Sequence, residues 1–401
     1  MGTRTPETAP FRPVSDGPDT GRGRSVLCFG PGEQRIEAAS PARTLILGAA
    51  EADQLTEIPD RVSAWFDEGI ALVCGALGYD AGAGLHGVQR PSQDGIPLAV
   101  IHGYSDYQCP ATGPLPAAET GGEPWRITSP WQQGQTEAEY RASIAAIQHY
   151  LHAGDCYQVN LAQALRTGFR GEPLEGWERL VQAHPAPFAG YMEWDGGALL
   201  SASPERFLAI RNGQVITEPI KGTRPRGRTP EEDQRLAEEL LASAKDRAEN
   251  LMIVDLLRND LGRVCRPGSI AVPELAELHR YSNVQHLVSR VTGELREGVR
   301  PLDALLACFP GGSITGAPKK RAMEIIAELE PVPRGFYCGS MFWQTADGDF
   351  DSNILIRTLQ AGADGSLSCH GGGGIVVDSD PQAEYEETLF KVRALMEAVG
   401  A

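Results

Sequence analysis

The chain has 401 residues, 41% of them hydrophobic and 22% charged, the make-up of an ordinary globular protein with room for one large core or two domains. A formal charge of −17 counts against nucleic acid or an anionic membrane as a partner, although a few cations gathered in one cleft could still hold an anion. Eight cysteines without a C-x-x-C pair count against a disulfide frame or zinc site, and neither a membrane-length apolar run nor a signal-peptide core is found, so a cytoplasmic protein is expected.

Met1 to about Arg24, rich in Pro, Gly, Thr and charge, reads as a disordered tail. Short strands are predicted at Ser25–Phe29, Thr44–Leu47, Ile70–Cys74 and Pro97–Ile101, and a linker between Cys109 and Gln135, where Pro, Gly, Ala and Thr predominate. From Thr136 the period changes: Tyr140, Ile144, Ile147 and Leu151 recur at helical spacing, with Gly154 as the C-terminal cap. Strands follow at Cys156–Gln163, Ala198–Ser201, Phe207–Ile210 and Gln214–Ile216. A helical region runs from Pro230 to Val264, bent near Lys245, and its stretch Leu251–Leu257 is apolar nearly all round and expected to be buried. Further helices are predicted at Pro301–Cys308, Pro318–Leu329 and Gln382–Val399, and strands at Cys338–Gln344, Asn353–Leu359 and Gly373–Val377. Strands and helices mixed without regular βαβ alternation predict an α+β fold with antiparallel sheets.

Four stretches carry more than packing needs. In Glu218-Pro219-Ile220-Lys221-Gly222-Thr223-Arg224-Pro225-Arg226-Gly227 an apolar approach delivers one amine to a turn. Burial beside cations lowers an amine's pKa and makes it a nucleophile, and Arg224 and Arg226 could supply that field or clamp a carboxylate; a solvated basic turn is the plain alternative. In Pro310–Arg321 glycines and hydroxyls precede three cations, Lys319, Lys320 and Arg321, in a helix's opening turn, which suits an anion. Arg357 closes an apolar strand and needs a carboxylate, from a ligand or the protein, while Gly371–Gly374 let another group approach the backbone. Finally, Glu384, Glu387 and Lys391 share one face of the last helix, and Glu249 opens the buried part of an earlier one; a glutamate from each would suit Mg²⁺.

Taken together, Asp155–Gln163, Ser203–Phe207, Pro219–Gly227, Glu249–Cys265, Tyr281–Val291, Gly311–Glu330 and Gly372–Lys391 resemble, in order, the chorismate-utilising enzymes, which include the anthranilate, aminodeoxychorismate, isochorismate and salicylate synthases. The resemblance implies an α+β sandwich of large antiparallel sheets with helices packed outside, in which residues 25–125 form a variable N-terminal region of the same fold and 126–401 the chorismate-binding catalytic region. Anthranilate synthases carry alanine at the position of Lys221, whereas P-I-K-G-T resembles the aminodeoxychorismate synthase pattern. By that resemblance the Lys221 amine attacks C2 of chorismate as the C4 hydroxyl leaves, ammonia adds at C4, and the product feeds p-aminobenzoate and folate synthesis. The same resemblance implies Glu205 as general acid/base, His286 as an active-site histidine, and Mg²⁺ on Glu249 and Glu387 with Glu384 nearby. It further implies substrate contacts from Thr223, Thr315, Lys319, Tyr337, Arg357, Gly372 and Gly374.

There are departures from the family pattern. Cys156 stands where an aliphatic residue is expected, and Leu45–Glu51 lacks the L-L-E-S-type signature of tryptophan-binding relatives. No G-x-C-x-G nucleophile elbow occurs, so ammonia is expected from solution or from a separate glutamine amidotransferase subunit. Anthranilate or isochorismate synthesis is the competing enzymatic reading, and a non-catalytic amino-acid sensor the competing class.

Overall fold

The computed structural model describes residues 23–30, 34–89, 95–110, 115, 123–280 and 284–400. The expected N-terminal tail lies outside these residues apart from Gly23 and Arg24, as do 111–114 and 116–122 of the expected linker.

Two antiparallel sheets, ten-stranded among the described residues, are stacked as a sandwich. The first runs Gly316–Ala317, Gln158–Arg170, Ser366–Ile375, Thr358–Gly362, Gly197–Ser203, Phe188–Trp194, Ser25–Leu27 and Ile36–Ala38, with two short strands beside Gln158–Arg170. The second runs Ile220–Pro225, Val284–Glu294, Gln214–Glu218, Arg206–Arg211, Phe350–Asn353, Ser340–Thr345, Leu72–Leu77, Ala99–Tyr104 and Arg43–Leu47, with Ala271–Arg280 also on Val284–Glu294. Strands from the first hundred residues pair directly with strands from the rest of the chain, Leu72–Leu77 on Ser340–Thr345 and Ser25–Leu27 on Phe188–Trp194.

Alternation along the strands sorts the core into layers. Leu27, Ile46, Val100, Met192 and Trp343 fill the space between the sheets. Leu45 and Leu47, neighbours of Ile46, instead join Phe342, Ile144 and Ile326 under the helices outside. A third cluster, with Trp177, Tyr191 and Val392, lies between the first sheet and the helices Pro173–Ala183 and Pro381–Ala398. This is the expected α+β sandwich with helices outside both sheets.

The helix Glu137–Ala153 shows how local chemistry sets its bounds. Thr136 caps it through Oγ1, which accepts from the Glu139 amide, while the Glu139 carboxylate accepts from the Thr136 amide at 2.8 Å, and Gly154 closes it at φ 81°. A cap of this kind contributes about 1 kcal/mol. The long helical region is broken by Ser243 into Pro230–Ala242 and Ala244–Leu261, and the Ser243 hydroxyl caps the second helix at Asp246.

Three expectations need correction. Leu251 is 57% exposed, because Asn250, Ile253, Val254 and Leu257 form the inward stripe. Asn250 is buried and accepts a hydrogen bond from Ser289, so the inward stripe begins on a polar side chain just before the apolar run. Arg357 does not close a strand: Phe350–Asn353 belongs to the second sheet, Thr358–Gly362 to the first, and Arg357 sits on the crossover at φ 51°. Lys221 lies inside a strand, not on a turn, where a bulge at Gly222 (φ 71°) shifts the register against Leu287 and His286.

Candidate active site

Lys221 comes from the edge strand Ile220–Pro225, against which the helix Ala244–Leu261 packs. Its amine faces acids. Lys221 Nζ lies 4.0 Å from Glu249 Oε2, and its charge also acts on Glu205 and Glu387. The arginines expected to surround it are engaged elsewhere: Arg224 with Glu239 at 3.2 Å and Asp246 at 3.7 Å, Arg226 with Asp233 at 2.7 Å. A side chain at Gly222 would meet Leu240 at 2.8 Å and Asp246 at 3.1 Å, so the bulge lets the helix pair come down onto the lysine strand.

Glu205 is 7% exposed, beside the start of the strand Arg206–Arg211, and accepts a hydrogen bond from Ser313 Oγ at 3.1 Å. Burial pushes its carboxyl up to about 7, against the pull of Lys221 and the Ser313 bond. A carboxyl so placed can carry a proton at neutral pH and release it during a reaction.

The third wall holds Thr223, His286 and Arg357. Thr223 Oγ1 and His286 Nδ1 are 2.9 Å apart, and burial holds the imidazole below its ordinary value, with Arg357 adding repulsion. Arg357 has no protein carboxylate within ion-pair distance among the described residues, although burial lowers its pKa. Beside it, the strand Ser366–Ile375 is paired along Gly371–Gly374 by Gln158–Arg170 on one edge only, because the strand on the other edge begins at Thr358. Gly372 and Gly374, two residues apart, direct their amides to the same edge of that strand. Tyr337 is buried and stacks on His370 at 5.2 Å.

On the helix Pro381–Ala398, Glu384 is nearly buried and accepts from Ser379 Oγ at 2.7 Å, and burial raises its pKa. Glu387 is 56% exposed and pairs with Lys391 at 2.6 Å; burial opposes its ionisation, but Lys391, Lys245 and Lys221 outweigh this and hold it below the usual range. Lys391 also donates to the Gly372 carbonyl at 3.0 Å. A Cβ on Gly373 would come within 3.2 Å of Glu384 Oε2, so glycine there makes the cradle that admits the carboxylate. Glu249, Glu384 and Glu387 are hard-oxygen donors of the kind Mg²⁺ takes, and they are linked through the lysines they share, Lys221 and Lys245, although their oxygens do not all lie within 4.8 Å of one another. A tighter set among the described residues, Glu274, Glu277 and His279 within 4.8 Å, lies on the strand Ala271–Arg280, where Arg290 already pairs with Glu274 at 2.6 Å.

Two candidates are drawn away from this cluster. Lys319 Nζ is 6% exposed and bonds Asp260 at 2.8 Å and the Cys308 carbonyl at 2.7 Å, while Arg321 turns to Glu324 and Asp155. Two of the three cations expected to hold an anion at that helix start, Lys319 and Arg321, are therefore engaged by protein acids. Thr315 is fully buried, with Oγ1 donating to the Gly311 carbonyl at 3.0 Å, and so shapes the loop that carries Ser313.

A family model for chorismate binding enzymes matches residues 16–397. The chain belongs to the chorismate-binding enzyme family. It is 50% identical over 273 residues to the aminodeoxychorismate synthase component 1 of Salmonella typhimurium, covering 68% of this chain and 60% of that protein. It is 45% identical over 269 residues to the anthranilate synthase component 1 of Aquifex aeolicus, covering 67% of this chain and 54% of the relative. The matched stretch thus spans just over half the length of these curated relatives. The crystal structure of anthranilate synthase component I from Streptococcus pneumoniae shares the fold, with TM-score 0.71 and 24% identity over 98% of this chain and 95% of that one.

Within this chorismate-binding fold, sequence reasoning missed Ser313 as the partner of Glu205, Asp260 as the partner of Lys319, and Lys245 as a third cation near the carboxylates. Ser313 had a signal in the density of hydroxyls and glycines around it. Asp260 had none, since its partner lies 59 residues away.

Proposed function

We propose that this chain is the chorismate-aminating component of an aminodeoxychorismate synthase, converting chorismate and ammonia to 4-amino-4-deoxychorismate and water. The observation that carries the reading is the Lys221 amine, 4.0 Å from Glu249 and electrostatically coupled to Glu205, in a run that distinguishes it from alanine-bearing relatives. The 50% identity to a protein of that name supports it.

In this reading Lys221 loses a proton to water and attacks C2 of the ring. Both ring double bonds shift, from C1=C2 to C1=C6 and from C5=C6 to C4=C5, the C4–O bond breaks, and Glu205 delivers a proton to the departing hydroxyl. Ammonia then bonds to C4 as the C2–N bond breaks. The lysine is restored, and one ammonium proton returns to Glu205. Arg357, Tyr337 and the Gly372 and Gly374 amides orient the enolpyruvyl carboxylate, and Thr223 with neutral His286 lines the same wall. Glu249, Glu384 and Glu387 would hold Mg²⁺, which when bound supplies counter-charge to the ring carboxylate. Thr315 and Lys319 have supporting roles, in the Ser313 loop and in neutralising Asp260. Residues 126–401 form the catalytic region and 25–125 the variable region packed with it. Ammonia is supplied by a glutamine amidotransferase subunit in a heterodimer, in the cytoplasm, and the product feeds folate synthesis.

The test is intact-protein mass spectrometry with chorismate and no ammonia. The chain should gain the mass of chorismate less one water, and Lys221→Ala should not. A Lys221→Ala chain that aminates chorismate at full rate would falsify the covalent route.

A further inference from the structure

The helix Ala244–Leu261 carries Lys245 and Glu249, the helix Pro381–Ala398 carries Glu384, Glu387 and Lys391, and the charge of Lys221 acts on acids of both; the three lysines are not equivalent. Lys221 is only 17% exposed and is carried by a strand paired into the sheet. Lys391 is fastened twice, to Glu387 at 2.6 Å and to the Gly372 carbonyl at 3.0 Å. Lys245 is 66% exposed and stands one turn before Glu249 on the same helix, at 4.0 Å, with its charge reaching Glu384 and Glu387 across the gap.

An ordinary surface lysine pairs along its own helix and does little else. Lys245 instead bears on carboxylates of two helices that would otherwise repel one another. It is also free to leave, since its stem is flexible and its end is in water. A divalent ion entering between Glu249 and Glu387 would meet a cluster already neutralised by ammonium groups, and the mobile one must give way.

We propose that Lys245 is the resident counter-cation of the Glu249–Glu384–Glu387 cluster: it yields its place to the incoming divalent ion and so sets how tightly the site holds that ion. The inference rests on the reading of this cluster as the Mg²⁺ site. Lys245 is on this account a positioning residue and touches no reacting atom. A unit charge about 5 Å from a divalent ion alters its affinity by roughly tenfold in water-like surroundings, and physiological salt trims that to several-fold.

The experiment is titration of the full chain with MnCl₂ alone, without chorismate, followed by electron paramagnetic resonance of free Mn²⁺. Wild type is compared with Lys245→Gln, Lys245→Arg, Glu249→Gln and Glu387→Gln, with circular dichroism as a folding check. Lys245→Gln should bind Mn²⁺ roughly three- to tenfold more tightly than wild type, Lys245→Arg within about twofold of it, and added NaCl should narrow the gap. If Lys245→Gln binds no more tightly while the Glu249 and Glu387 variants lose Mn²⁺, the counter-cation role is wrong and the metal site stands. If the Glu249 and Glu387 variants bind as wild type does, the metal site itself is misassigned and the proposal goes with it. Absence of uptake by both wild type and Lys245→Gln up to about 10 mM also overturns the proposal, because removing the competing charge should uncover the site.

Discussion

Replacing Glu205 by glutamine tests the site through stability as well as rate. Raising this carboxyl from 4.5 to about 7 costs the folded chain about 3 kcal/mol once the group is ionised, at 1.36 kcal/mol per pKa unit. Between those values the folded chain holds a proton that the unfolded chain has released, so stability falls as pH rises through the window, and the whole cost is present above it. Glutamine is neutral, nearly isosteric, and can still accept from Ser313, so it escapes the ionisation cost; the partnerless amide hydrogens take back roughly 1–2 kcal/mol at every pH. The stability of Glu205→Gln relative to wild type should therefore improve by about 2.5 kcal/mol between pH 5 and pH 8, roughly 3 °C in Tm for a chain of this length. The assay is thermal unfolding of both proteins across that range, paired with ammonium-dependent turnover of chorismate. Turnover should fall by roughly 10²–10⁴-fold, the usual worth of a general acid. A Tm difference that does not change with pH, or a variant that keeps its rate, would refute the placement of Glu205 as a buried proton donor.

Glu249→Gln and Glu387→Gln should each raise the Mg²⁺ concentration needed for half-maximal turnover by at least about tenfold with little change in Tm, since both carboxylates stand partly in solvent. Lys319→Met should do the reverse, lowering stability by about 3–5 kcal/mol in urea unfolding, because it leaves Asp260 charged and alone at 1% exposure. With Mg²⁺ and chorismate the isolated chain should use ammonium but not glutamine, with the rate climbing as NH₃ replaces NH₄⁺ until loss of the Glu205 proton above about pH 7 opposes it. Adding an amidotransferase subunit should confer glutamine use without changing the product.

The helices were legible wherever period and caps agreed, as from Thr136 to Gly154, because both signals are local. Pairing across sheets was not. Asn353–Leu359 reads as one strand, and only the stacking of two sheets divides it, at a crossover through Arg357, between the strands Phe350–Asn353 and Thr358–Gly362. Of the acids around Lys221, Glu249 and Glu387 stood out by their places on helices and Glu205 only by the family resemblance, and the packing beside the amine depends on a bulge at Gly222 that has no periodic signature. Partners defeated the reading most often: Arg224, Arg226 and Lys319 read as ligand-seeking cations, and Glu239, Asp233 and Asp260 claim them. Charge in a sequence marks where a partner is needed, but not whether the protein supplies it.

Amination of chorismate at C4 by way of Lys221 is tested most simply by identifying the product. The purified chain would be incubated with chorismate, Mg²⁺ and ammonium, and the product analysed by liquid chromatography with mass spectrometry against authentic standards. Wild type should yield 4-amino-4-deoxychorismate and Lys221→Ala none. Anthranilate or isochorismate as the wild-type product would contradict amination at C4.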